Sequence, residues 1–254
     1  SHTFDVTVQG ILNGVPTLDA LPNLVMAENA TEQTISLSGI TAGGSESQPL
    51  RVTASSSNTD LIPNPTVTYT SAEATGSIAF APVADQSGAV IITVTVEDGG
   101  LDNNLNTAGD NATFSRSFVT RVTPPPINLV PGEQSVQKNT PFAFTDYRDR
   151  LISISDSDSQ DLTLQLTLTA AHGTLSLPQA NPGNALTYIA GDGVDDVTFT
   201  VSGDISSVNE ALGWVVFEPE VDYTGDDASI TVTSTKTGNI IGGPPGDTDV
   251  IPIT

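Results

Sequence analysis

The 254-residue chain contains no cysteine. Disulfides, thiolate nucleophiles and cysteine metal centres are therefore excluded. Histidine is nearly as scarce, at His2 and His172 alone, which leaves too little imidazole for a histidine zinc site or a catalytic triad. No nucleophile elbow, phosphate loop or metal-ligand helix is present. Seven Lys and Arg face thirty Asp and Glu, a formal charge of −23. Nucleic acid demands clustered cations that this chain lacks, and so does anionic lipid. No run of 18 apolar residues occurs, so no transmembrane helix and no direct membrane insertion is expected. No signal peptide is visible, so a secreted origin implies an interior piece of a longer protein.

What is present favours strands. Thr occurs 34 times, with abundant Ser, Val and Ile, while Gly 22 and Pro 17 punctuate the chain. β-Branched residues suit a pleated surface better than a helix. Alternation of apolar and hydroxyl residues predicts strands at Thr34–Ser38, Leu50–Thr53, Val67–Thr70, Ser77–Phe80, Ile91–Val96 and Thr113–Phe118. The pattern resumes at Leu162–Leu168, Gly173–Leu177, Val197–Val201, Trp214–Phe217 and Ile230–Thr233. Each run has the period of a half-buried antiparallel strand, and the spacing suggests sandwiches. One short helix is expected over Ser206–Leu212, with Ser206 as its N-cap.

Between the two series stands Thr123-Pro-Pro-Pro-Ile127. Consecutive prolines favour an extended, semi-rigid spacer. The expected organisation is a tail strand or extension at 1–12, a first module at 13–123, a Pro-rich linker at 124–128 and a second module at 129–254. The halves share a signature: Phe80-Ala-Pro82-Val-Ala-Asp85-Gln-Ser-Gly88 matches Phe217-Glu-Pro219-Glu-Val-Asp222-Tyr-Thr-Gly225 at the same spacings. An Ile-Thr-Val-Thr run follows each, at Ile92 and Ile230. Such a repeat marks units built on one plan. Asp85 and Asp222 are read as turn residues, since Asp bonds turn amides and Gly permits backbone closed to other residues.

At this point the sequence resembles the Ig-like/cadherin-like repeats of large bacterial surface and secreted proteins. The likeness rests on Gln33-Thr-Ile-Ser-Leu-Ser-Gly-Ile-Thr-Ala-Gly43 and Asp60-Leu-Ile-Pro-Asn-Pro-Thr-Val-Thr-Tyr69 in the first half. In the second it rests on Ile154-Ser-Asp-Ser-Asp158, His172-Gly-Thr-Leu175 and Tyr188-Ile-Ala-Gly-Asp-Gly193. The resemblance implies an all-β chain of two tandem Greek-key β-sandwiches. It also implies calcium held by carboxylates near module ends, with hard oxygen ligands suiting that ion. The residues that correspond are Glu28, Asp98 and the pair Asp156 and Asp158, with Asp161 close behind.

Several positions depart from the pattern. The acidic linker is replaced by prolines, Ala54-Ser-Ser-Ser57 stands where an Asp-x-Asp would sit, and the early acid of the second module is Lys138. Aligning Ile92-Thr-Val-Thr-Val-Glu-Asp98 with Ile230-Thr-Val-Thr-Ser-Thr-Lys236 places Lys236 opposite Asp98. An ammonium there supplies the charge that a cation would otherwise bring, so Lys236 is expected beside Asp156 or Asp158. The best remaining calcium candidate is the loop from Asp98 through Asp102 to Asn111, whose many side-chain oxygens could equally be turn caps.

The expected role is non-enzymatic: an extracellular adhesive or spacer fragment whose partners are neighbouring repeats and cell-surface or matrix polysaccharide or protein. The alternative is a carbohydrate-binding module pair. Sugar platforms need exposed aromatics, which make up 5% of the chain. Trp214 is read as core, leaving Tyr147 and Tyr223 as surface candidates. Glu218 and Glu220 could form a glycosidase pair, but they flank Pro219 in the repeat turn, where the companion motif has Ala81 and Val83.

Overall fold

The computed structural model describes residues 12–44, 46–107, 109–145, 150–158, 163–177 and 186–254. Residues 1–11 of the expected tail strand or extension, Tyr147 and Asp161 lie outside these residues. The chain divides into two compact units, Ser1–Val122 and Thr123–Thr254.

The first unit contains β1 (Leu24–Ala27), β2 (Gln33–Leu37), β3 (Leu50–Ser56), β4 (Thr66–Thr68), β5 (Gly76–Phe80), β6 (Gly88–Asp98) and β7 (Thr113–Thr123). The last residue of β7, Thr123, opens the second unit. One sheet runs β1-β7-β6-β3 and the other β2-β5-β4. Strand β6 shows why this sequence forms a half-buried strand. Val90, Ile92, Val94 and Val96 face the core, while Thr93 and Thr95 face out and meet Ser117 and Ser115 of β7 at 2.9 and 2.8 Å. Such hydroxyl pairs are the polar counterpart of the cross-strand apolar contacts. Phe80 of β5 and Phe118 of β7 join the two sheets, ring centroids 6.3 Å apart.

The second unit contains β8 (Ile127–Leu129), β9 (Phe142–Ala143), β10 (Ser153–Ser155), β11 (Thr163–Ala171), β12 (Gly173–Ser176), β13 (Thr187–Ala190) and β14 (Thr198–Gly203). These are followed by α1 (Ile205–Leu212), β15 (Val216–Pro219), β16 (Ala228–Thr237) and β17 (Gly246–Ile253). A five-stranded sheet, β13-β14-β11-β16-β17, packs on β12-β15-β9, and β10 pairs with β8. Leu166, Leu168, Phe199, Val232 and Ile251 from the larger sheet form one buried cluster with Leu175 and Phe217 from the smaller.

The units share a plan. The set β3-β6-β7 corresponds to β11-β16-β17, and β2-β5-β4 to β9-β15-β12. The repeated Phe-x-Pro motif leaves β5 in one unit and β15 in the other. The second unit adds β13, β14 and α1 between the equivalents of β4 and β5.

Three expectations are corrected. Ile127 and Asn128, counted with the linker, belong to β8, which pairs with β10 through Ser155 and Ile154. The helix is capped not by Ser206 but by Asp204, whose carboxylate accepts from the Ser207 amide at 2.8 Å and the Ser207 hydroxyl at 2.9 Å. A carboxylate meets more of the orphan donors of a first turn than a hydroxyl can. Trp214 is not core but 50% exposed. The expected strand begins only at Val216; Trp214 sits in the turn after α1, its amide donating to the Ala211 carbonyl at 3.0 Å, and Val215 and Phe217 are the buried residues of the run.

Two outcomes follow. Phe217→Ala should cost about 3–5 kcal/mol through lost transfer energy and a cavity, read in denaturant unfolding by the fluorescence of Trp214 in the same unit. Asp204→Ala should cost about 0.5–2 kcal/mol as a lost cap. Hydrogen bonds from Ser206 and Ser207 lower the Asp204 pKa to about 2. A depressed carboxyl stabilises above its unfolded value, so the difference between parent and variant should be full near neutrality. It should fade as pH falls from about 3.8 to about 2.

Candidate functional site

The polar groups worth a functional reading lie at the strand ends. At the repeated turn, Asp85 and Asp222 both adopt left-handed backbone, φ 58° and 65°. Each is held by an asparagine in a reciprocal pair. Asn29 donates to Asp85 Oδ1 at 3.1 Å and accepts from its amide at 2.9 Å. Asn139 does the same to Asp222 at 3.1 and 2.8 Å. These carboxylates are structural. Glu28 precedes Asn29 and therefore sits at this end of the first unit. In the second unit its place is taken by Lys138, which pairs with Asp222 at 2.9 Å.

Asp98 closes the opposite end of the 11-residue strand β6. At ~3.3 Å per residue, roughly 33 Å separates the two ends, so Glu28 and Asp98 do not meet. Asp98 is fully buried. Its Oδ1 accepts from Asn13 Nδ2 at 3.0 Å and from the Gly100 and Ala112 amides, each at 2.9 Å. Its Oδ2 is buried and has no partner among the described residues. Gln48 Nε2 donates to Asn13 Oδ1 at 2.7 Å, and Asn111 Nδ2 to Glu97 Oε1 at 3.0 Å. The carbonyl oxygens of Gln48 and Asn111 are likewise buried and, among the described residues, unpartnered. The Asn111 and Arg51 hydrogen bonds hold the Glu97 carboxyl below its usual pKa. Asp102 stays exposed and caps its own turn, accepting from the Asn104 amide at 2.9 Å and the Thr107 hydroxyl at 2.6 Å. Asp110 does likewise for the Leu101 amide at 2.8 Å. Both Asp102 oxygens and one of Asp110 are thus spent on turns, whereas Asp98 Oδ2 is not.

The corresponding end of the second unit is built differently. Lys236 occupies a core-facing position of β16, in register with Leu164 of β11, and is fully buried. Its Nζ lies 2.8 Å from Asp156 Oδ1, contacts Asp158 Oδ1, and donates to Thr123 Oγ1 at 2.7 Å. The Thr123 hydroxyl in turn lies 3.2 Å from Asp158 Oδ1. Burial works to raise the Asp158 carboxyl, but hydrogen bonds from Lys236 and Thr123 and the ammonium charge outweigh it, so its pKa is lowered. The expected neighbourhood of Lys236 is therefore present, with both aspartates engaged. Among the described residues no group of three His, Cys, Asp or Glu is arranged to hold a metal.

Elsewhere, His172 takes left-handed backbone at the β11–β12 turn, φ 59°. It stacks on Tyr223 with centroids 4.4 Å apart and stands 3.4 Å from Glu220. Glu218 lies in β15, in register with Thr174.

No family model matches the chain, and no curated protein does. Solved structures similar to it include an I-band fragment of titin, at 11% identity and TM-score 0.37 over 94% of this chain and 65% of that one. Extracellular cadherin domains 3–6 of protocadherin gamma B2 match at 13% and 0.34, over 96% and 53%. Domains 5–6 of the S-layer protein SbsC match at 13% and 0.27, over 94% and 98%. The chain thus spans about two thirds of the titin fragment's length.

Replacing Lys236 by Met should strip the counter-charge from one buried and one partly buried carboxylate and cost about 3–5 kcal/mol. Denaturant unfolding followed by Trp214 fluorescence measures it.

Proposed function

We propose that this chain is a pair of non-enzymatic repeat modules from a bacterial surface or secreted protein, working outside the cell in adhesion or as a spacer. The observation that carries this reading is the repetition itself. Two β-sandwich units place the same Phe-x-Pro-x-x-Asp turn at the same strand end and lock it with the same Asn–Asp pair. Units built on one plan suit a linear array whose partners are further repeats of the same chain, or polysaccharide and protein on a cell surface or matrix. The charge of −23 keeps such an array soluble. Outward Thr and Ser on the strands make sticky edge pairing less favourable.

Calcium belongs to the first unit in this reading. The donor chemistry at Asp98 fits a hard cation: one buried carboxylate oxygen lacks a partner, and two buried amide oxygens in the adjoining network lack one too. A single carboxylate with neutral oxygens makes a weak site, in the range of extracellular modules. Calcium titrated into the full chain should raise the melting temperature of the first unit, because a ligand bound only by the folded state stabilises it. Asp98→Asn should abolish the shift while Asp102→Asn preserves it. No heat of binding and no melting shift at millimolar calcium would remove the site.

Trp214 supports a second reading, carbohydrate binding, because its half-exposed ring is the kind of face on which a sugar packs. Retention of the chain on insoluble polysaccharide, lost in Trp214→Ala, would favour it over the spacer role.

A further inference from the structure

A fully buried lysine whose Nζ contacts one aspartate and lies 2.8 Å from a second is more than an ion pair in kind. It places an amine, a carboxyl carbon and a proton carrier in one site that is closed except on the Asp158 side. We propose that Lys236 and Asp158 condense spontaneously into an intramolecular amide, with Asp156 as the proton shuttle. The ion pair of the folded chain is the reactant state.

The geometry assigns the roles. Asp156 has 1% of its side chain exposed and Asp158 23%. The electrophile must release water, and the partly open carboxyl is the one with a route to solvent. The closed one keeps its proton inside the site. Low dielectric narrows the gap between the charged pair and its neutral tautomer. One proton passing from Nζ to Asp158 therefore yields a free amine beside an uncharged acid. The Nζ lone pair then attacks Asp158 Cγ, forming the C–N bond and moving the carbonyl electrons onto oxygen. Thr123 Oγ1, 3.2 Å from Asp158 Oδ1, is placed to donate to that oxygen. Asp156 takes the proton released from nitrogen and delivers it to the departing hydroxyl, which leaves as water. Ammonium and carboxylate become amide and water; charge and atoms balance, no electrons are exchanged, and Asp156 is regenerated.

The bond would tie the segment after β10 to β16 across 78 positions of sequence. In a chain that spaces other parts, a pull on the termini of the second unit would then bypass the residues between the two ends. The chemistry does not depend on the adhesive reading, and its test is separate from calcium or sugar binding.

The intact mass of the purified full chain, measured in denaturant, should be one water below the sequence mass. Tandem mass spectrometry of a digest should show a branched peptide pair joining Asp158 to Lys236. Lys236→Arg and Asp156→Ala should both return to their full sequence masses. Asp158→Asn should lose ammonia instead of water, which also covers the case in which the Asp156 variant does not fold. A wild-type chain at full sequence mass after prolonged incubation overturns the proposal. So does a water loss that maps to a cyclic imide at the Asp-Gly bonds of Asp98 or Asp192.

Discussion

A charged side chain cannot stand alone in the interior of a β-sandwich, and both units are organised around that constraint where their longest inner strands end. Strands β6 and β16 carry core-facing residues to their last positions, and there each presents an ionisable group inward, Asp98 in one and Lys236 in the other. Desolvation of such a group costs several kcal/mol before any partner is counted. The surrounding chain must answer it. Around Asp98 the answer is backbone amides and an asparagine; around Lys236 it is two carboxylates and a hydroxyl.

The choice of partner shapes the neighbouring backbone. Because Asp98 Oδ1 collects the amides of Gly100 and Ala112, it binds both ends of the loop between β6 and β7. Gly100 has φ 61°, and a Cβ there would lie 2.6 Å from the Asp110 carboxyl carbon, so the loop needs glycine at that point. In the second unit the equivalent strand end draws instead on Asp156 and Asp158, from the segment after β10. The anion at one strand end thus recruits the loop that follows it, and the cation at the other recruits acids from a segment remote in sequence.

Much of this was legible in sequence for a plain reason: period-2 alternation over Ile91–Val96 or Ile230–Thr233 leaves one apolar face and one hydroxyl face, and only a half-buried strand uses both. The charge exchange at Asp98 and Lys236 was legible because the flanking Ile-Thr-Val-Thr runs fix the alignment. Trp214 was not, because a run of four apolar residues gives no polar position to set which parity faces inward. Asn13 and Gln48 were also invisible. Asn13 reaches Asp98 over 85 residues and Gln48 reaches Asn13 over 35, and no local pattern marks a contact so remote. Asn29 and Asn139 carried a usable signal, since they occupy aligned positions after Glu28 and Lys138, but their partners lie 56 and 83 residues away.

Two units with one plan therefore differ in what completes them. Among the described residues, the first retains a buried carboxylate oxygen that no side chain satisfies; a cation bound there would add the mass-action term that any folded-state ligand contributes. The second brings its cation in the sequence, so its stability contains no such term at this site. A covalent or ionic closure written into the chain works at any dilution of external ions. A unit whose open oxygen took up a cation would instead respond to them. The difference between the two units rests on the ionisable side chain at one strand end together with the groups that answer it: Asn13 and two loop amides around Asp98, and Asp156, Asp158 and Thr123 around Lys236.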